Sequence, residues 1–361
     1  MSLETISWGP NDPVPEAPCA RPLDQIRWCS CRATRQHPGV DIKLLSVADE
    51  DDAYRINQAA AAAEAPDIPF WSRAAFDARV HQPWPGSLWE FFIARTDEGT
   101  PAGLLEIGFP QLENTSTSNI QLNVHPDHRR RGIGRALYAH AVERSRAHGR
   151  TFLIAPTVDS LPDGPAFATA MGAAPALAET RSRLDVADFD ALELRAPVAD
   201  GYRLAQWTDH TPDEYVHDVA YLDSRLNVDA PTGDLAWEAE KVDAERVREN
   251  EKSILSRNRT AYHSGAVHTA TGRLVAWTLL TCPNDIRWQA WQQITIVDPE
   301  HRGHGLGLTV KIANLTYARS TRPELRAIDT FNASSNAPML RVNQAMGFRA
   351  RETWTQWQAT I

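Results

Sequence analysis

Two segments of the sequence have the residue types that a phosphate-binding turn requires. They are residues 124–134 (VHPDHRRRGIG) and residues 297–307 (VDPEHRGHGLG). Each follows an alternating run typical of a strand and precedes a pattern typical of an amphipathic helix. Glycine lets the backbone adopt positive φ and approach a ligand closely, and the first N–H groups of a helix have no partner within it. Each segment could therefore hold a phosphate by main-chain amides, with arginine adding positive charge.

These two basic loops are copies of one another. Each conserved position lies 173 residues after its counterpart, as Val297 follows Val124. The identical pairs are Val124/Val297, Pro126/Pro299, His128/His301, Arg129/Arg302, Gly132/Gly305 and Gly134/Gly307. The same spacing relates Gly99 to Gly272, which mark two hairpin turns. A length of 361 residues also suits two domains of about 150 residues each. The chain is therefore an internal duplication.

The pattern Arg-x-x-Gly-x-Gly between a strand and a helix resembles the acyl-CoA signature of the GNAT acetyltransferase superfamily. Two copies resemble the tandem members of that family. The resemblance covers residues 38–361 and implies an α/β fold with mixed sheets, built from two tandem acyl-CoA-binding domains. We expect these domains at residues 38–195 and 196–361, after a tail or arm at residues 1–37.

The resemblance also implies how acetyl-CoA or another acyl-CoA is bound. Loop amides hold the pyrophosphate, and the backbone at the end of the preceding strand polarises the thioester carbonyl. The implied cofactor-binding residues of the second copy are Ile296, Val297, Arg302, Gly303, His304, Gly305, Leu306 and Gly307. Those of the first copy are Val124, Arg129, Arg130, Arg131, Gly132, Ile133 and Gly134.

Periodicity predicts the elements that position the loops. In the first copy these are a strand at 40–45, a helix at 49–63, hairpin strands at 89–95 and 102–107, a central strand at 118–124 and a helix at 133–148. The second copy repeats the hairpin at 261–269 and 274–280, the strand at 291–296 and the helix at 308–317. Residues 348–361 end the chain as a strand pair or one long strand. We expect two mixed sheets, one for each copy.

An asparagine after the next strand distinguishes the copies. In the family this residue contacts the pantetheine arm, which implies Asn332 and Asn336 in the second copy. Asn336 could equally be a helix cap before Pro338. The first copy has TVDSLPDG at 157–164, without asparagine. This difference favours the second domain as the catalytic one, and the first as a degenerate copy that still holds CoA or only supports its partner.

Acetyl transfer from a thioester needs a neutral amine, a donor for the developing oxyanion and a leaving thiolate. Many family members carry a tyrosine four residues before a Gly-Phe pair, but that position is Asn343 in the second copy and Ala168 in the first. Neither is a phenolic acid. Water or another residue therefore supplies the proton, the thiolate leaves unaided, or transfer does not occur.

The candidate bases are acidic residues near the second loop. Asp298 borders that loop, and Glu238 belongs to an acidic segment expected to overhang the substrate cleft. Asp298, Glu238 and Asn343, which replaces the tyrosine, are the candidate catalytic residues. In the first copy, Glu106 on an inner strand could be a base or a paired structural carboxylate.

Composition excludes several other classes of protein. A net charge of −9 disfavours a general nucleic-acid binder. The absence of a signal peptide and of an apolar run of about 18 residues indicates a cytoplasmic protein without a membrane span. Four cysteines, Cys19, Cys29, Cys31 and Cys282, form neither a disulfide framework nor a zinc-like spacing, so we expect reduced thiols and no metal.

The function implied by the resemblance is that of an acetyl-CoA-dependent N-acetyltransferase. It would transfer an acetyl group directly to the amine of a small molecule and act as a monomer or homodimer. Two alternatives stay open. A non-catalytic CoA-binding or scaffold protein would explain the missing tyrosine, and another acyl-CoA could be the donor because the loop contacts only the CoA phosphates.

Overall fold

A computed structural model of the chain describes residues 39–192, 194–195 and 197–361. The tail or arm predicted at residues 1–37 lies outside these residues, together with Cys19, Cys29 and Cys31. Cys282 is buried, and burial raises the pKa of its thiol to about 11. None of the helices in the described ranges has the length and apolar character that a bilayer crossing requires.

The first copy contains six strands and the helices between them. It begins with β1 (Val40–Leu44), α1 (Glu50–Glu64) and α2 (Arg73–His81), followed by β2 (Ser87–Thr96), β3 (Pro101–Pro110) and β4 (Thr117–Val124). The first basic loop then leads into α3 (Ile133–Ala147), β5 (Phe152–Val158), α4 (Asp163–Ala170), β6 (Ala174–Asp185) and α5 (Val186–Ala191).

The second copy repeats this order with one additional short helix. Its first elements are β7 (Tyr202–Thr208), α6 (Val216–Ser224), α7 (Leu226–Asp229), α8 (Ala244–Ser256), β8 (Arg259–His268), β9 (Leu274–Pro283) and β10 (Gln289–Val297). The second basic loop is followed by α9 (Leu306–Thr321), β11 (Ala327–Ala333), α10 (Ala337–Met346) and β12 (Arg349–Thr360). Residues 348–361 thus contribute one long strand, as one of the two sequence interpretations expected.

Alternating side chains attach helices to both faces of the sheet. On one face of the first copy, Ile93 and Leu104 pack with Ile56 of α1 and Phe76 of α2. Leu105, the next residue along β3, packs instead with the α3 side chains on the opposite face. Successive side chains of a strand point to opposite faces, so fully buried central strands need apolar residues at both phases. The basic loop and α3 therefore lie on a rigid two-sided core.

The twelve strands of the described residues belong to a single mixed sheet, which confirms the α/β class. Its order is β1-β2-β3-β4-β5-β12-β6-β11-β10-β9-β8-β7. The two separate sheets expected from the sequence are therefore joined into one. The junction arises because the last strands of the two copies exchange places: β12 lies between β5 and β6, and β6 lies between β12 and β11.

The exchange is held by long antiparallel pairings. Strand β12 pairs with β5 from Trp354↔Val158 to Thr360↔Phe152. Strand β6 pairs with β11 from Asp185↔Ala327 to Ala333↔Glu179. Each copy's final strand therefore completes the part of the sheet that belongs to the other copy. The predicted domain division between residues 195 and 196 follows the duplication in the sequence, while the strands cross that division in space.

Candidate functional site

The two basic loops have the same backbone geometry. Gly132 (φ 86°) caps α3 and Gly305 (φ 72°) caps α9, both in the left-handed region that favours glycine. Neither helix has a side-chain cap at its N-terminus. Arg129 and Arg302 each donate from Nε to the carbonyl of the last strand residue, at 3.2 Å in both copies. Both helices therefore start with amides that a phosphate could accept from.

The charge around the loops differs between the copies. In the first, Arg130 and Arg131 are exposed beside Arg129, and Arg135 lies one turn further along α3. The residues at the three positions around Arg302 are Gly303, His304 and Leu308. Arg302 also forms an ion pair of 2.7 Å with Asp229 of α7, whereas Arg129 has only a 3.5 Å contact with Glu64. The first loop is therefore better suited to a multiply charged anion.

A cavity of about 1100 Å³ extends from the first loop along the sheet. Its lining includes the loop residues Arg129, Arg130, Gly132, Ile133 and Gly134, and the strand residues Leu122 and Val124. Four aromatic residues of the second copy also line it, namely Trp291, Phe331, Trp354 and Trp357. Residues 302–307 of the second loop line neither this cavity nor either of two smaller cavities in the described part of the chain.

Within this cavity, β4 and β5 diverge. Their parallel pairing covers only Thr117↔Phe152 to Asn119↔Ile154. The N–H of His125 donates to the carbonyl of Ala102 in β3. Successive N–H groups of a strand point to opposite sides, so the N–H of the preceding residue, Val124, points toward β5. The N–H of Leu122, two residues before Val124, points toward β5 as well. The gap between the strands thus offers main-chain donors beside the loop, as a thioester carbonyl and an amide-bearing arm would require.

In the second copy, a chain of buried side chains occupies the corresponding gap. Lys311 of α9 donates to Asn343 Oδ1 at 2.7 Å, and Asn343 Nδ2 donates to Asn332 Oδ1 at 2.7 Å. Lys311 and Asn343 are each only 2 % exposed. The matching residues of the first copy, Tyr138, Ala168 and Thr157, instead line the 1100 Å³ cavity. The first copy thus leaves open the space that Lys311 and the two asparagines occupy in the second.

The buried Lys311 leads to a prediction about stability and pH. Burial lowers the pKa of Lys311 from 10.5 to about 7. Between those pH values the unfolded chain binds a proton that the folded chain lacks, so this group makes the free energy of unfolding rise with pH, by at most about 1.4 kcal/mol per pH unit. Lys311→Met should remove this rise, as measured by urea unfolding at several pH values. Exposed Lys252→Met is the control, and equal slopes in wild type and Lys311→Met would contradict the prediction.

The structure gives the three predicted catalytic residues structural contacts. Asp298 accepts from the N–H of Glu300 at 3.0 Å and caps the short turn before the second loop. Asn343 lies in the buried chain with Lys311. Glu238 is exposed, and its N–H donates to Asn114 Oδ1 at 2.6 Å. These three residues are not brought together at a common cavity within the described part of the chain, and their catalytic roles stay predictions.

Two other candidates also have clear partners. Glu106 is fully buried, accepts from Asn57 at 3.1 Å and pairs with Arg79 at 2.8 Å, which is the paired arrangement of the two that the sequence left open. Asn336 Oδ1 accepts from the N–H of Met339 at 3.2 Å and so caps α10. A helix cap does not exclude a further contact with a ligand, and the pantetheine role of Asn336 stays a prediction.

Several cavity residues were not anticipated from the sequence. Arg135, directly after Gly134, could have been recognised as a fourth arginine near the first loop. Trp354 and Trp357 could not have been assigned to the cavity of the first copy, because they lie more than 200 positions from the loop and reach the cavity only through the exchange of β12. Trp357 Nε1 donates to Thr157 Oγ1 at 2.8 Å, which fixes its indole against β5.

Comparisons with known proteins agree with this geometry. Residues 51–172 match the Acetyltransferase (GNAT) family. The chain is similar to a solved tandem GNAT protein from the clavulanic acid biosynthesis pathway, without AcCoA, with 35% identity over 89% of this chain and 98% of that chain and a TM-score of 0.76. It shares its fold with a GCN5-related N-acetyltransferase from Sphaerobacter thermophilus, at 15% identity over 89% and 95% of the two chains and a TM-score of 0.62. No curated protein matches the chain.

The first of these relatives extends over nearly the whole of both chains at an identity well above the level at which only the fold is shared. The family match in turn includes the first basic loop and the strands that diverge beside it. The protein therefore belongs to the GNAT acetyltransferase family, whose members are acyltransferases that use acyl-CoA.

Proposed function

We propose that this protein is an N-acyltransferase that binds one acyl-CoA, with acetyl-CoA as donor, in the cavity of the first copy. The observation that supports this most is the contrast between the two gaps. The first opens into about 1100 Å³, whereas Lys311, Asn343 and Asn332 occupy the second. Sequence reasoning favoured the second copy because of Asn332 and Asn336. Asn332 helps to fill the gap of that copy, and Asn336 caps α10.

The residues of the first copy fit an acyl-CoA. A β-carbon added at Gly132 would meet no atom within 4 Å, so the space above the loop is open to a diphosphate. The amides of Gly132 to Gly134, with Arg129 and Arg130, would hold that diphosphate. When bound, acyl-CoA supplies an acyl group activated as a thioester. The N–H groups of Leu122 and Val124 would then stabilise negative charge on its carbonyl oxygen.

Glu64 is the residue we propose to take the proton from the amine. It ends α1, lines the cavity and is half-buried. Burial raises the pKa of its carboxyl, and the positive charge of Arg129 opposes this effect. A raised pKa brings a carboxylate closer to the range in which it can accept a proton at neutral pH. Glu179, which also lines the cavity, accepts a hydrogen bond from Gln356 at 2.8 Å.

The acceptor that suits this cavity is a small amine with an apolar body. The end remote from the loop is walled by Trp71, Trp291, Phe331 and Trp354. Trp291 and Phe331 stack with a centroid separation of 5.9 Å, which forms a flat aromatic surface. The tandem relative's place in the biosynthesis of a small molecule supports a small-molecule acceptor.

Calorimetry and thiol release together test the proposal. Acetyl-CoA should bind with a stoichiometry of one per chain, and amines with an aromatic or aliphatic body should accelerate release of free thiol. Glu64→Gln should lower kcat about 100-fold and leave acetyl-CoA affinity unchanged, while Glu179→Gln should retain activity. Tight acetyl-CoA binding without acceleration by any amine would favour the scaffold alternative. Two bound molecules per chain would contradict the closure of the second gap.

A further inference from the structure

A second cavity, of about 460 Å³, lies in the second copy on the side of the sheet covered by α6 and α8. Helix α2 of the first copy contributes to one wall. Trp84 and Trp277 line it, and Trp71 and Trp291 line both this cavity and the larger one. The two cavities are therefore neighbours that share indole walls, and the smaller one contains no residue of either basic loop. A volume of this size accommodates a small metabolite.

His263 and Gln289 are among the deeply buried polar side chains on this cavity that have unsatisfied atoms. His263 is 2 % exposed, and its Nδ1 accepts from Trp277 Nε1 at 3.1 Å. Indole nitrogen is only a donor, so the proton of this histidine is on Nε2, which has no partner among the described residues. Gln289 is 1 % exposed; its Nε2 donates to Asp329 at 2.8 Å, but its Oε1 has no partner there. Buried polar atoms are rarely left unpaired in native proteins.

The cavity also contains guanidinium groups without a carboxylate partner. Arg257 donates to the carbonyls of Ser253 and Gln82, at 2.9 and 3.2 Å, and Arg259 donates to Thr281 Oγ1 at 3.0 Å. Within the described part of the chain neither arginine forms an ion pair. Burial, with the positive charges of Arg79 and Arg259 nearby, lowers the pKa of Arg257 to about 10. The arginine end of the cavity therefore carries positive charge that no protein group fully neutralises.

Two of the acidic side chains of the cavity pair with arginines other than Arg257 and Arg259. Glu240 pairs with Arg246 at 3.1 Å, near the N-terminal end of α8, and Glu251 pairs with Arg248 at 3.0 Å. Asp223 lies close to Glu240. Burial, and to a lesser extent the negative charge of Glu240, raises the pKa of Asp223 to about 6. Arg257 lies just after the C-terminal end of α8. A helical rise of about 1.5 Å per residue separates its backbone from that of Arg246 by about 16 Å along the helix axis. Asp285 also lines the cavity; it forms no ion pair with either arginine, although its negative charge raises the pKa of Arg259 and partly offsets the effect of burial.

We propose that this second cavity binds a small carboxylic acid with an apolar body and an N–H donor. Its carboxylate would lie between Arg257 and Arg259, and its donor would satisfy Gln289 Oε1. The His263 Nε2–H would donate to a second acceptor on the ligand, and the indoles would enclose the apolar body. This site is additional to the acyl-CoA cavity of the proposed function and does not depend on it.

Matched acids and amides test the charge requirement. The probes are N-acetyl-L-tryptophan and N-acetyl-L-tryptophanamide, with the phenylalanine and leucine pairs beside them. Each pair has the same apolar body and amide N–H, and the acyl cap prevents acetylation. Calorimetry on the full chain should show at least one acid binding about tenfold or more tighter than its amide, since a charge-assisted hydrogen bond contributes about 1.5–3 kcal/mol. Equal affinities, or no binding by any acid, would overturn the proposal.

Variants of the arginines locate the carboxylate. Arg259→Gln and Arg257→Gln should each reduce the preference for acid over amide about tenfold, and Arg259→Lys should keep most of it. Binding of acetyl-CoA should be unchanged in all three, which shows that the fold is intact and that the two sites are separate. Arg257 is only partly buried and is not on a strand, so its variant remains informative if Arg259→Gln fails to fold. An unchanged preference in the folded glutamine variants would refute the assignment. Failure of acetyl-CoA to bind the wild type would count against the proposed function alone.

Discussion

Gly132→Glu should abolish acetyl-CoA binding, and Gly305→Glu should leave it unchanged. Both glycines cap a helix at positive φ, and a β-carbon at either would meet no protein atom within 4 Å. The two substitutions therefore impose the same backbone strain, of about 1 kcal/mol. Only the first would place a carboxylate where the diphosphate is proposed to bind. Placing like charges together costs several kcal/mol, so the expected loss of affinity is about 100-fold or more.

This comparison is informative because the two loops are copies. Calorimetry with acetyl-CoA should give a Kd for Gly305→Glu within about twofold of wild type, and thermal melts should give matching Tm values for the two variants. Loss of binding in Gly305→Glu with retention in Gly132→Glu would reverse the assignment of the acyl-CoA site. It would also mean that Lys311, Asn343 and Asn332 move apart to admit the ligand.

Arg181→Ala should be the most destabilising single substitution among the ion pairs described. Arg181 of β6 is 1 % exposed and hydrogen-bonds to Asp329 of β11 at 2.7 Å, Glu352 of β12 at 2.5 Å and Asp67 after α1 at 2.8 Å. Its removal leaves Asp67 and the fully buried Asp329 with Arg183 as their remaining cation. Glu352 is left without an ion-pair partner among the described residues. Breaking a buried ion pair by removing one partner costs about 3–5 kcal/mol.

A surface pair provides the control for this prediction. Arg349 pairs with Asp188 at 3.0 Å, but its side chain is 71% exposed. Exposed pairs contribute about 0–1 kcal/mol, so Arg349→Ala should change the free energy of unfolding very little. Urea unfolding monitored by tryptophan fluorescence measures both. Equal effects from the two variants would show that the Arg181 cluster does not hold the exchanged strands together.

The duplicated local features were predictable because their causes are local. Pattern and glycine placement predicted the strand, turn and helix at both loops, and the structure has them at Gly132 and Gly305. The hairpin turn at Gly99 likewise needs only residues on either side of it. The α/β class followed from the order of such elements.

Features that depend on distant residues were not predictable in this way. Nothing in residues 349–360 alone distinguishes pairing with β6 from additional pairing with β5, because both use the same alternation. The sequence also did not reveal which of the two gaps between strands is open and which is filled by side chains. Asn332 is a plausible pantetheine contact in the sequence, but it accepts a hydrogen bond from Asn343, which itself accepts from the buried Lys311 of α9. Choosing between those roles required knowledge of what packs beneath them.

The position of β12 has a consequence for biosynthesis. The first copy leaves the ribosome before the second, yet Trp354 and Trp357, which wall its cavity, belong to β12 of the second copy. The loop that is translated first must therefore wait for the synthesis of β12 before its pocket is closed. A nascent chain, or one shortened at its C-terminus, would expose the edge of β5 to solvent and to other chains. Completion of the pocket would thus itself report that β12 of the second copy has been made.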